Sequence, residues 1–142
     1  MDNISFFSED IDFSLQQEEK ITLWLERIAE LENTPIEEIS YIFCTDDYLL
    51  KINQEYLDHD YYTDIITFDN RDSPEDPIES DIFVSIDRVT ENASDQNVSF
   101  EHELKRVLAH GLLHLIGYND KTEEEQLLMR EKEEAYLSLQ IN

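Results

Sequence analysis

The chain lacks the features that mark exported or membrane-spanning proteins. Its opening residues, "MDNISFFSED", are acidic and mixed, so they do not form the basic and then apolar start of an export signal. No apolar run approaches the roughly 18 residues that a membrane span needs. A single cysteine, Cys44, excludes a disulfide within the chain. These absences predict a protein of the reducing cytoplasm with no membrane partner.

Positive charge is also scarce. Lys and Arg number 10 against 35 Asp and Glu, which gives a formal net charge of −25. Such a surface repels phosphate backbones and anionic membranes at long range, so no DNA partner is expected. Any role on RNA then requires a local cationic group, a metal ion or a protein partner. The ordinary interpretation of most of these carboxylates is a solubilising surface.

The pattern of elements predicts a small α+β fold. The chain has 142 residues, 40% of them hydrophobic, which suits one domain over residues 1–142 with a modest core. Strands are predicted in "ISFFSEDIDF", "ISYIFCT", "TDIITF" and "DIFVSID", and helices in "SLQQEEKITLWLERIAELENT", "DDYLLKINQEYL", "SFEHELKRVLAHGLLHLIG" and "KTEEEQLLMREKEEAYLSLQ". This order predicts one mixed sheet of about four strands packed by helices, with a histidine-bearing helix near the C-terminus.

That helix carries two of the four histidines, four residues apart. Ser99 is a suitable N-cap, and Gly117 is well placed to end the helix. His110 and His114 therefore point the same way, about 40° apart around the axis. Glu103 lies on the same face two turns earlier and is a candidate acceptor for an imidazole N–H.

The turn after the helix supplies a third candidate ligand. A left-handed residue at Gly117 would turn the chain back and let Asp120 approach the two imidazoles. Three ligands leave an open coordination position, which is typical of catalytic zinc sites. Two histidines and one carboxylate also suit non-haem iron(II), so the pattern leaves the metal open. The alternative is two ordinary histidines and a solvated aspartate.

The residue after His110 argues against a peptidase. Zinc peptidases of the His-Glu-x-x-His kind place their general base there, and here the position is Gly111. A glycine inside a helix costs about 1 kcal/mol relative to alanine, so it predicts close approach by another element or a ligand.

The segment "HGLLHLIGYND" resembles the signature of the YbeY family, metal-dependent endoribonucleases of bacterial rRNA maturation, which reads His-Gly-x-Leu-His-Leu-x-Gly-Tyr-Asp-His. "INQEYLDHDYYTDIITF" resembles an upstream segment of the family, and "SDIFVSID" resembles a third. The upstream matches are Asn53, Tyr56, Thr63, Asp64 and Phe68. The three segments follow the family's order, and the family's α+β fold agrees with the element order.

The resemblance implies a metal-dependent, single-strand-selective endoribonuclease in 16S rRNA processing and ribosome quality control, with the ribosome or rRNA as partner. The net charge of −25 adds the expectation that another protein assists the binding of RNA. One divalent ion, expected to be Zn²⁺, would be held by His110, His114 and Asp120. Asp120 stands where the family has its third histidine, and this swap should weaken the Lewis acidity of the ion. Leu57 stands where the family has an arginine that serves activity.

Without that arginine, no catalytic residue is assigned from the sequence. Arg71, Arg106 and His59 are candidate replacements, although surface or packing roles are the more ordinary interpretation of each. Leu57 also supports a second hypothesis, a non-catalytic ribosome-assembly factor with a structural metal. A zinc hydrolase of small molecules is a third hypothesis, which the histidine helix allows and the upstream resemblance disfavours.

Overall fold

The computed structural model describes residues 3–59 and 62–139. In these residues the chain forms four strands and five helices. In chain order they are β1 (Ile4–Ser8), α1 (Glu18–Leu31), β2 (Ile36–Cys44), α2 (Asp46–Leu57), β3 (Ile65–Asp69), β4 (Ile78–Ser85), α3 (Ile86–Asp95), α4 (Phe100–Ile116) and α5 (Glu123–Leu137). No helix in this part of the chain is both long and apolar enough to cross a bilayer.

The four strands form one mixed sheet in the order β1-β2-β4-β3. β1 and β4 both run parallel to β2, whereas β3 is antiparallel to β4. In the register of the sheet, Tyr41 of β2 lies between Phe6 and Ile82. The predicted α+β fold with a mixed sheet of about four strands is therefore confirmed.

Alternate residues of each strand face opposite sides of the sheet, as the two-residue strand period requires. Ile39, Tyr41 and Phe43 of β2 belong to the main core, together with residues of α1, α3, α4 and α5. Cys44 belongs to a smaller cluster under α2 on the other face. Burial raises the pKa of the Cys44 thiol to about 12. Cys44 is thus a small core residue.

α4 packs on the main face of the sheet through a stripe of leucines at helical spacing. Leu104, Leu108, Leu112 and Leu115 are all buried. The hydroxyl of Tyr41 donates a hydrogen bond of 2.9 Å to the carbonyl of Leu108, which ties β2 to α4.

The predicted close approach at Gly111 is confirmed. A Cβ on Gly111 would lie 2.8 Å from Cδ1 of Ile65 on β3, so the missing side chain lets α4 approach the sheet closely.

Two details differ from the sequence prediction. The sequence did not predict α3, because β4 was expected to continue to Asp87. β4 instead ends at Ser85. The side chain of Ser85 accepts a hydrogen bond from the backbone N–H of Arg88 and so caps α3. The apolar residues of α3 are few, so their helical spacing is a weak signal. Leu31 stands at helical spacing after Trp24 and Ile28, which predicts that it shares their apolar stripe on α1, but it is 45% exposed. It lies at the edge of that stripe, about 80° from Ile21 around the helix axis.

Candidate metal centre

The two histidines are placed by a helix with defined ends. Ser99 caps α4 by accepting a hydrogen bond from the backbone N–H of His102, and Gly117 ends it with φ of 128°. Both caps agree with the sequence prediction. His110 and His114 lie one turn apart and half-buried, with ring centroids separated by 4.6 Å. Their shared face is therefore a consequence of helical spacing alone.

The turn that follows brings Asp120 to the same point. The positive φ of Gly117 reverses the chain direction, a conformation that favours glycine because it has no Cβ. Oδ2 of Asp120 lies 3.3 Å from Nε2 of His110 and 3.3 Å from Nε2 of His114. The three predicted ligands therefore converge, and they form a group that could hold a metal ion.

The spacing of these donors fits a tetrahedral ion. With metal–ligand distances of about 2.0–2.1 Å, two ligands of a tetrahedron lie about 3.3–3.4 Å apart. The measured separations of Asp120 from the two imidazoles are both 3.3 Å. Imidazole nitrogens and one carboxylate oxygen are also donors that divalent transition metals accept. The residues present therefore fit such an ion.

The acceptor for the His110 imidazole is Glu133, not Glu103. Nδ1 of His110 lies 2.6 Å from Oε2 of Glu133, which is 2% exposed on α5. Because Nδ1 faces this carboxylate, Nε2 remains available towards Asp120. The expectation for Glu103 was wrong, since its carboxylate accepts two hydrogen bonds from Arg106, at 2.9 and 2.6 Å.

Arg106 joins these buried carboxylates into one network. Its guanidinium binds Glu103, reaches Glu133 at 3.2 Å and lies 3.7 Å from Asp64. Burial raises the pKa of the Glu133 carboxyl, but the hydrogen bond from His110 and the charge of Arg106 outweigh it and lower the pKa overall. Burial dominates at Asp64 and raises its pKa. The network holds Glu133 as an anion beside His110.

A second group of side chains fixes the turn that carries Asp120. The hydroxyl of Tyr118 donates a hydrogen bond of 2.7 Å to Glu32, at the end of α1. Glu32 also accepts hydrogen bonds from Tyr136 and Lys132 of α5. These contacts link the turn to α1 and α5.

The carboxyl group of Glu32 is expected to make the free energy of unfolding depend on pH in the acid range. Burial raises the pKa of its carboxyl, but hydrogen bonds from Tyr136, Tyr118 and Lys132 lower it below the ordinary 4.5. The stabilisation by Glu32 is therefore complete above pH 4.5 and is lost as the pH falls through the lower folded-state pKa. In Glu32→Gln this contribution disappears, so the stability difference from the parent chain should shrink as the pH falls. Urea unfolding of both chains from about pH 3 to pH 7 measures this difference in free energy. A difference that stays constant with pH would contradict the role of Glu32.

Two of the three donors, His110 and Asp120, border a small cavity of about 260 Å³ between α4 and α5. It is lined by Arg106, His110, Asp120, Gln126, Met129, Arg130 and Glu133. A groove of about 340 Å³ lies beside Trp24 and Phe100, but its lining contains no histidine. The cavity beside His110 is therefore the candidate site.

Comparison with known proteins places the chain in a family. The family model described as endoribonuclease YbeY matches residues 3–140. The chain is 56% identical over 138 residues to endoribonuclease YbeY of Cytophaga hutchinsonii, covering 97% of this chain and 96% of that protein. It is 54% identical to endoribonuclease YbeY of Christiangramia forsetii over 136 residues, 96% of this chain and 93% of that protein. This chain belongs to the endoribonuclease YbeY family.

The fold agrees with this membership. The solution structure of TM1509 from Thermotoga maritima superposes with a TM-score of 0.66 at 28% identity, covering 94% of this chain and 86% of that one. The YbeY resemblance seen in the sequence is therefore confirmed.

The structure shows the surroundings of Leu57 and of the three candidate cations, Arg71, Arg106 and His59. Leu57 ends α2, is 39% exposed and is not among the described residues that line the cavity. Arg71 is held by Asp69 and by the carbonyl of Leu115. Arg106 is held by its carboxylates, and His59 lies two residues beyond the end of α2. Arg71 and Arg106 thus serve packing and pairing.

Glu133 and Glu32 were missed by sequence reasoning. Each is one acidic residue among 35, in a charged helix or at a helix end, so no local pattern distinguished it. The one sequence feature that pointed towards the Glu32 contacts is Tyr118, which lies within the segment "HGLLHLIGYND" and binds Glu32.

Proposed function

We propose that this chain is a metal-dependent, single-strand-selective endoribonuclease acting in 16S rRNA processing and ribosome quality control, with residues 1–142 forming one domain. Membership of the endoribonuclease YbeY family supports the activity on RNA. The observation that carries metal dependence is the convergence of His110, His114 and Asp120, with Asp120 3.3 Å from both imidazoles. Zn²⁺ is the proposed ion, because the donors fit tetrahedral geometry.

The side chains have separate roles in this proposal. A divalent ion held by His110, His114 and Asp120 would supply Lewis-acid chemistry, either to the phosphodiester, to the nucleophile or to both. His110 and His114 would hold the ion through their Nε2 atoms, and a carboxylate oxygen of Asp120 would be the third ligand. Glu133 keeps the proton of His110 on Nδ1. The open side of the cavity leaves room for the substrate.

The charge of the protein bears on how RNA reaches this site. A net charge of −25 repels the RNA backbone at long range, so binding of naked RNA is expected to be weak. Productive substrate would then be presented in the cytoplasm by the ribosome or by another protein that binds rRNA. Tight binding to random RNA would contradict this part of the proposal.

Cleavage of RNA is expected to require both the metal and Asp120. The purified chain should cleave a labelled single-stranded RNA, leave its duplex intact, and lose activity when a chelator is added. Asp120→Ala removes one of three ligands, so cleavage should fall at least about 100-fold at limiting zinc. Denaturing gels over a time course measure both effects.

Asp95→Ala is the matched control, because it removes an exposed carboxylate outside the cavity. Cleavage that survives chelation, or equal losses in the two variants, would overturn the proposed metal dependence.

A second candidate function is a ribosome-assembly factor that keeps the metal for stability. The observation that favours it is the apolar, partly exposed Leu57 in place of the family arginine. It predicts that zinc raises the melting temperature while no RNA is cleaved, even when ribosomal particles are supplied as substrate.

A further inference from the structure

We propose that Arg130 binds a phosphate of the RNA substrate at the mouth of the metal cavity, supplying the cation that Leu57 cannot. This inference rests on the proposed nuclease function. Its first support is the position of Arg130 on α5. Gln126, four residues earlier, donates a hydrogen bond of 3.1 Å to the carbonyl of Asp120. Glu133, three residues later, binds His110.

Helical spacing places Arg130 between these two contacts, because residues three and four apart share a face. Arg130 lines the same cavity as His110 and Asp120, and it is exposed. Its guanidinium can therefore reach a ligand that enters the cavity from solvent.

The second support is that Arg130 has no carboxylate partner among the residues that the structure describes. The other four arginines each form an ion pair: Arg27 with Glu30, Arg71 with Asp69, Arg88 with Asp46, and Arg106 with Glu103. Within residues 3–59 and 62–139, no carboxylate lies within ion-pair distance of Arg130. In a chain with 35 acidic residues, an arginine left unpaired beside a cavity is free to bind an anion.

The third support is the local charge. The carboxylates of Asp64, Glu103, Asp120 and Glu133 surround the site, against the single guanidinium of Arg106. A divalent ion would still leave this group about one unit negative when all four carboxylates are ionised. A phosphodiester would then meet net repulsion, which one further cation offsets. Arg130 is the cation placed to do so, and its planar fork can donate two hydrogen bonds to a phosphate.

The test measures RNA binding directly, so it does not depend on cleavage. A fluorescently labelled single-stranded RNA is titrated with zinc-loaded protein at about 50 mM salt, and anisotropy gives Kd. Arg130→Ala should weaken binding about 10-fold, the effect of losing one charge-assisted contact. For Arg130→Ala, the slope of log affinity against log salt concentration should be shallower than that of the parent chain by about 0.7, the value for one phosphate contact on a single strand. Arg130→Lys should recover part of the loss.

Arg27→Ala is the matched control, because it removes the same charge from an exposed arginine outside the cavity. It should change Kd less than about twofold. Zinc affinity should be the same in all three variants and the parent, which excludes damage to the metal site. Equal Kd values for Arg130→Ala and Arg27→Ala, or no binding by the parent chain at low salt, would overturn the role of Arg130. Metal-dependent cleavage in the parent chain would still support the nuclease, so the two proposals fail separately.

Discussion

Replacement of Glu133 by alanine is expected to weaken zinc binding by about 10- to 100-fold. The carboxylate of Glu133 lies 2.6 Å from Nδ1 of His110 and is almost completely buried. It keeps the ring proton on Nδ1 and holds the ring orientation, so Nε2 is ready to bind. Without it, the imidazole can turn or carry its proton on Nε2, and binding must first reverse that change. Competition with a chromophoric chelator at about pH 7 measures the affinity.

Two further variants separate this role from a general effect of charge. Glu133→Gln keeps an oxygen that can accept from Nδ1, so it should retain more affinity than Glu133→Ala. Glu134→Ala removes the exposed carboxylate of the next residue and should leave zinc affinity unchanged. If Glu133→Ala and Glu134→Ala bind zinc equally well, Glu133 does not position His110.

Replacement of Arg106 by alanine is expected to lower the free energy of unfolding by about 3–5 kcal/mol. Its guanidinium binds Glu103, which is fully buried, and Glu133, which is 2% exposed. Removing the cation leaves these buried carboxylates without their compensating charge. Exposed ion pairs contribute far less because water solvates both partners. Urea unfolding in the presence of a chelator isolates this effect from metal binding.

The exposed pair of Arg27 with Glu30 provides the control, and Arg27→Ala should cost less than about 1 kcal/mol. Adding Glu103→Gln to Arg106→Ala should recover part of the lost stability, because it removes one unpaired buried charge. A double variant no more stable than Arg106→Ala would mean that the loss comes from packing of the arginine side chain and not from its charge.

Local patterns predicted much of the fold because they depend on near neighbours in the chain. The leucines of α4 repeat at helical spacing and are buried as that spacing requires. Ser99 and Gly117 mark the two ends of the helix through short-range hydrogen bonds and backbone freedom. α3 escaped prediction because only three apolar residues, Ile86, Val89 and Ala93, mark its buried face in a short and mostly polar segment.

The sequence by itself determined the mixed α+β fold, the family and the group of His110, His114 and Asp120. These residues lie within eleven positions, so one helix and one turn bring them together. Only the tertiary structure decided which carboxylates support the group. Glu133 reaches His110 across 23 residues, and Glu32 reaches Tyr118 across 86. Such contacts depend on how α1, α4 and α5 pack, and in a chain with 35 acidic residues packing alone selects the few that are buried and paired.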